Sequence, residues 1–99
     1  MPAKPLTVGK HVFARQMDGL EFFKKMLARY PVGERVSSAD AVDLSALLTR
    51  HNDAAQKIGC GVDHFKVDKD GYGGRCFWVV RVDGSQEDFT YRRCITGIW

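Results

Sequence analysis

Disulfide chemistry is poorly provided for in this chain: it has three cysteines, Cys60, Cys76 and Cys94, an odd number at wide spacing with no Cys-x-x-Cys pair. A disulfide framework is thereby excluded, and reduced thiols in a cytosolic setting are expected. Long apolar runs are also missing. No stretch of about 18 apolar residues is present, as a membrane span requires, and Met1 to Lys10 holds no run of signal-peptide length. A soluble, cytoplasmic protein without membrane association is expected. Neither charge sign dominates: 15 Lys and Arg against 12 Asp and Glu leave +3. That falls short of the cationic excess that announces nucleic-acid binding by composition alone. With no repeat, low-complexity tract or linker, the chain reads as one domain over residues 1–99, residues 1–8 forming a flexible arm.

What is there suffices for a modest core, since 44% of the 99 residues are hydrophobic. Charge is unevenly spread. Residues 1–35 hold seven basic and three acidic side chains, 36–70 four and six, and 71–99 four and three. The middle is acidic and the ends are basic.

His11 to Ala14 reads as a short first strand, after which Asp18 is a fair N-cap for a helix running to about Arg29. Leu20, Phe23 and Leu27 recur at helical spacing there, with Phe22 and Met26 widening the stripe. Pro31 and Gly33 end it. Ser38 or Asp40 can cap a second helix carrying Ala41, Leu44, Leu47 and Leu48. Arg50 and His51 then meet the negative end of its dipole. From Gly59 the period becomes extended, with strands at Val62–Val67, Arg75–Val82 and Asp88–Tyr91. Asp70-Gly71 and Asp83-Gly84 supply the hairpin turns. Cys76 to Val80 is apolar on both faces, as suits a central strand covered by helices on one side and packed again on the other. The fold expected is α+β, two N-terminal helices packed on an antiparallel β-meander of three to four strands.

Three clusters are candidates for function. The loop from His51 to Gly61 offers Lys57 and backbone amides near Gly59 and Gly61 to a phosphate, or is a tight helix-to-strand crossing. It lacks the spacing of a P-loop. Arg75, Arg81, Arg92 and Arg93, with Lys57 and Lys66, stand beside Tyr72, Trp78 and Tyr91. RNA and single-stranded DNA use this combination, guanidinium groups on phosphates and unstacked bases on rings at about 1–3 kcal/mol each. The same residues also read as solvated strand edges, with Arg81 pairing Asp83, Glu87 or Asp88. The carboxylates from Asp83 to Asp88 belong to a polar-out hairpin with Phe89 and Tyr91 on one face. Asp88 there accepts hydrogen bonds rather than doing acid–base work. Cys60, Cys76, Cys94, His11, His51 and His64 are too scattered to assign a metal site, and packing explains Cys76, at the start of an apolar strand, better. Cys94 with His51 is the one pairing that would make a nucleophile. No catalytic residue, metal or cofactor is assigned.

Between His51 and Cys94 the chain carries Lys57-Ile58-Gly59-Cys60-Gly61, Arg75-Cys76-Phe77, Val79-Val80-Arg81-Val82-Asp83-Gly84 and Asp88-Phe89-Thr90-Tyr91-Arg92-Arg93-Cys94. This set resembles the domain named after the plant "defective chloroplasts and leaves" (DCL) proteins. That domain's pattern runs roughly His-Pro, Lys-Ile-Gly-x-Gly, Arg-Cys-Phe, Val-Val-Arg-x-Asp-Gly, Asp-Phe-Ser-Tyr-x-Lys-Cys. The likeness covers nearly the whole domain and is sharpest over residues 51–95. Asn52 stands where the plant proteins usually have proline, and Thr90 and Arg93 replace serine and lysine. The loop from Asp70 to Gly74 lacks the His-Pro-x-Phe character common in plants. The resemblance gives no role to His51, Gly59, Gly61, Asp83, Gly84, Asp88 and Cys94. Plant relatives are longer, so a stand-alone bacterial version is expected. The family is linked with plastid ribosomal RNA maturation, and the domain closes the largest subunits of plant-specific RNA polymerases. The resemblance therefore implies an RNA context.

The expected function is a non-enzymatic RNA-associated module, with Lys57, Arg75, Arg81, Arg92 and Arg93 on phosphates and Tyr72 or Tyr91 stacking a base. The alternative is a protein-interaction domain of the transcription or ribosome-assembly machinery, docking near Trp78, Tyr91 and Ile98-Trp99. An unidentified enzyme comes third. A monomer is favoured.

Overall fold

The computed structural model describes residues 5–97. In chain order the elements are β1 (Leu6–Val8), β2 (His11–Phe13), α1 (Gln16–Ala28), α2 (Ser38–Leu48), α3 (Ala54–Ile58), β3 (Val62–Lys69), β4 (Arg75–Arg81), β5 (Gln86–Phe89) and α4 (Tyr91–Thr96). β3, β4 and β5 form an antiparallel meander with β4 in the centre, and among the described residues β1 pairs only with β2. The architecture is α+β, but only two of its four helices follow from sequence periodicity. The expected arm also ends early, since Leu6–Val8 is strand and Val8 is buried.

α1 begins two residues before Asp18. Asp18 instead caps from inside the first turn, its Oδ2 accepting the Arg15 amide at 3.2 Å. The buried face is Gly19, Phe23 and Met26, with Leu20 and Leu27 half-buried beside it. Gly19 explains the rotation. A Cβ there would lie 3.0 Å from Leu6 Cδ2 and 3.3 Å from Ile95 Cδ1, so β1 and α4 close onto the helix at that point. α2 is capped by Ser37, whose Oγ accepts the Asp40 amide, and buries Leu44, Leu47 and Leu48. Tyr30 ties the two helices together. Its hydroxyl donates to Asp40 Oδ2 at 2.6 Å and accepts the Ser37 amide at 3.1 Å.

The core face of the sheet is Phe65, Val67, Phe77, Val79 and Phe89, all buried. Phe89 meets Phe65 and Phe77 with ring centroids 5.9 and 6.1 Å apart, and Tyr91 meets Phe77 edge-on at 6.2 Å. The other face of β4 is covered in part: Val80 is buried there and Cys76 is half-buried. Trp78 is half-buried there, with Lys66 Nζ 5.7 Å over its ring and its Nε1 donating to Lys69 O. The free edge of β3 is closed by residues 33–36, through Gly33 N to Val67 O, Val67 N to Glu34 O and Val36 N to Phe65 O.

The expected strand over Asp88–Tyr91 is corrected as well: β5 ends at Phe89 and the chain enters α4 at Tyr91. Tyr91, Cys94 and Ile95 recur at i, i+3 and i+4 and are all buried. A helix therefore buries what a strand would have exposed. Among the described residues no helix is long and apolar enough to cross a membrane.

Candidate functional site

A cleft of about 560 Å³ opens where the end of β5 meets α4, the β3–β4 loop and α3. Its walls gather Lys57, Arg75, Arg92 and Arg93 with His51, Tyr72, Asp70 and Asp88, over a floor that includes Leu27 and Phe89. Four of the five cations proposed from sequence therefore share one concavity, although they lie up to 36 residues apart (57 to 93). Arg92 and Arg93 are successive exposed residues in the first turn of α4. Arg75 starts β4 and donates from Nη1 to Tyr30 O at 2.7 Å, which anchors the guanidinium while leaving its other donors outward. Lys57 Nζ donates to Asp88 O at 2.9 Å and stands 3.6 Å from Glu87.

Tyr72 is 95% exposed at the rim. Its loop is shaped by Asp70, whose Oδ1 accepts the amides of Tyr72 at 2.7 Å and Gly74 at 3.0 Å. The ring is thus offered to solvent by an ordered turn. His51 Nδ1 accepts the Asp53 amide at 2.9 Å. Burial, and after it the charge of Lys57, holds the His51 imidazole below its ordinary pKa.

Arg81 does not join the cleft. Its Nε donates to Lys57 O at 3.0 Å, Nη2 to Gln56 O at 3.2 Å and to Glu87, and Nη1 to Ser85 Oγ at 3.0 Å. Every face of this guanidinium is used inside the molecule, clamping α3 to the β4–β5 hairpin. Gly59 belongs to the same clamp: at φ +55° it lets Arg81 pass, and a Cβ there would lie 2.9 Å from Arg81 Cδ. Asp83 and Gly84 form the hairpin turn. The Ser85 hydroxyl and amide bond to Asp83 and hold its carboxyl below the usual range. Of the motif residues without a role, Gly59, Asp83 and Gly84 are therefore building parts. Gly61 pairs with Val82 through its carbonyl.

Tyr91 lines the cleft as well, but it is 9% exposed and packs on Phe77, so most of its ring is spent in the core and it does not offer a free face for stacking. The aromatic patch expected around Trp78 and Tyr91 is not assembled, and Ile98-Trp99 lies outside the described residues. Arg81 pairs Glu87, while the Asp88 carboxylate is exposed beside the cleft. The Cys94 thiol is fully buried, and burial pushes it up to about 11. A fully buried thiol of this kind does not fit the nucleophile of a Cys94–His51 pair. Cys76 is likewise pushed up to about 11, by burial first and then by the charge of Asp88. No three His, Cys, Asp or Glu among the described residues are grouped to hold a metal ion. Sequence reasoning missed one polar pair, His11 Nε2 with the buried Asp43 Oδ1 at 2.9 Å, which docks β2 on α2. Only an aspartate on an otherwise apolar helix face hinted at it.

A family model described as "Protein of unknown function (DUF3223)" matches residues 24–95. The chain is 38% identical over 73 residues to "Protein DCL, chloroplastic" of Solanum lycopersicum, covering 71% of this chain and 33% of that protein. It is 37% identical over 75 residues to "DNA-directed RNA polymerase IV subunit 1" of Arabidopsis thaliana, covering 75% of this chain and 5% of that one. The chain thus spans a minor part of either relative. The solution NMR structure of an uncharacterized protein from Rhodospirillum rubrum is similar at a TM-score of 0.87 and 48% identity, over 93% of this chain and 88% of that one.

Proposed function

This chain belongs to the DUF3223 family, the family of the plant DCL proteins, and from that premise we propose that it is a non-enzymatic module that binds single-stranded RNA. The observation that carries this reading is the cleft: Lys57, Arg75, Arg92 and Arg93 converge on it, and an exposed tyrosine stands at its rim. Cations around a concavity attract phosphates, and an aromatic face accepts an unstacked base of any identity. A cleft of this volume admits a nucleotide, not a helix, which favours a single strand. Arg75, Arg92 and Arg93 hold phosphates, Lys57 sets the charge of the inner wall, and Tyr72 stacks. Arg81 leaves the site, since the clamp uses it, and Tyr91 lines the cleft from the core side without a free ring face. That one relative is named as a subunit of an RNA polymerase supports a transcription setting.

The test is binding of fluorescent single-stranded RNA, read by anisotropy across a salt titration, with duplex DNA as comparator. Affinity should fall steeply between about 50 and 200 mM salt. The variant carrying Arg92→Ala and Arg93→Ala should bind every sequence more weakly, with a salt slope shallower by about 0.7 for each phosphate no longer neutralised. An unchanged slope removes both arginines from the site. Absence of binding at low salt discards the RNA reading in favour of a protein partner.

A further inference from the structure

The cleft is not uniformly basic. Of the carboxylates near it, Asp70 is spent on the amides of Tyr72 and Gly74, and Glu87 pairs with Arg81 and Lys57. Asp88 differs. It lines the cleft with the arginines, yet among the described residues its carboxylate makes no hydrogen bond or ion pair. Its backbone is held on both sides, by pairing with Trp78 and by Lys57 Nζ on its carbonyl. The carboxylate lies near Cys76, whose thiol is also on the cleft wall and responds to its charge. Cations for a phosphate, a ring for stacking and one uncommitted double acceptor therefore share a single concavity.

The double acceptor discriminates among bases. A carboxylate presents two parallel oxygens and no donor. Guanine alone offers two adjacent donors on its Watson–Crick edge, N1–H and N2–H. Adenine and cytosine each place one donor beside an acceptor, and uracil places its single donor between two acceptors, so each sets a lone pair against the carboxylate. We infer that Asp88 makes this cleft selective for guanine, taking N1–H and N2–H while Tyr72 stacks on the base and the arginines hold the adjoining phosphate. This rests on the reading of the cleft as a nucleotide site.

The experiment uses the intact chain and fluorescent oligouridylates carrying one central guanosine, adenosine, cytidine, uridine or inosine, with guanosine monophosphate as competitor. The guanosine oligomer should bind about tenfold more tightly than the adenosine, cytidine and uridine ones. Inosine, which keeps N1–H but lacks the N2 amino group, should fall between. Asp88→Asn should abolish the preference, so that the guanosine oligomer binds no more tightly than the others, while all of them gain from the loss of one negative charge beside the phosphate site. Equal, salt-dependent binding of all oligomers by the unaltered chain overturns guanine selection and leaves the RNA reading standing. Guanosine monophosphate binding as tightly as the guanosine oligomer upholds guanine recognition and overturns RNA as its source. No binding of any of these ligands overturns both.

Discussion

Replacing Gly59 by alanine adds one methyl group against the Arg81 side chain at a backbone angle of φ +55°, where glycine alone is unstrained. Arg81 cannot step aside without giving up the Lys57 and Gln56 carbonyls. A loss of about 2–3 kcal/mol in urea denaturation is expected. An unchanged midpoint would show that the clamp is dispensable. Tyr30 links a residue to pH in the same way. Burial opposes ionisation of Asp40, but hydrogen bonds from Tyr30 and Arg29 outweigh it and hold the carboxyl below its usual range. Because the folded pKa is the lower one, this contribution is complete above the unfolded value and is lost as pH falls through the folded one. Tyr30→Phe should therefore cost about 1–2 kcal/mol at neutral pH. It should also lose less stability than the unaltered protein on acidification from about pH 5 to pH 3, followed by circular dichroism.

At the scale of elements, α4 shows how a short segment is settled by its neighbours. Thr90 to Thr96 is too short for periodicity to separate helix from strand, and Phe89 and Tyr91 alternate as a strand would. What makes it a helix is a place to bury Tyr91, Cys94 and Ile95, together with a side chain from elsewhere that caps it. Arg50 Nε donates to Cys94 O at 2.8 Å and Nη2 to Ile95 O at 3.2 Å, and Gly97 ends the helix at φ +71°. Arg50→Ala should cost about 1–2 kcal/mol. Hydrogen exchange should then accelerate over residues 91–97 while β4 stays protected. Equal protection in both proteins would mean that packing alone holds α4. α3 escapes a sequence reading for a similar reason: its five residues are too few to show a period, and none is fully buried.

For the whole molecule, the rings of Phe65, Phe77 and Phe89 join the sheet to its helices, and Phe77 sits at their centre on β4. Phe77→Ala should cost about 3–5 kcal/mol. That is a large share of the roughly 5–15 kcal/mol available to a domain, and thermal denaturation should show a much lower, broadened transition. A midpoint within a degree or two of the unaltered protein would displace Phe77 from the centre of the core. The sequence by itself determined what is local: the two long helices, the strands β3 and β4 and the turns at Asp70-Gly71 and Asp83-Gly84, because side-chain period and glycine stereochemistry act within a few residues. It also marked Lys57, Arg75, Arg92 and Arg93 as a set. Only the tertiary structure decided that these four share a cleft, that Tyr72 stands at its rim while Tyr91 is core, and that Arg81 is consumed by carbonyls 24 and 25 residues away. An arginine and a tyrosine carry the same chemistry at every position. Which of them meets solvent is fixed by strand register and helix phase, and those depend on packing between residues far apart in the chain.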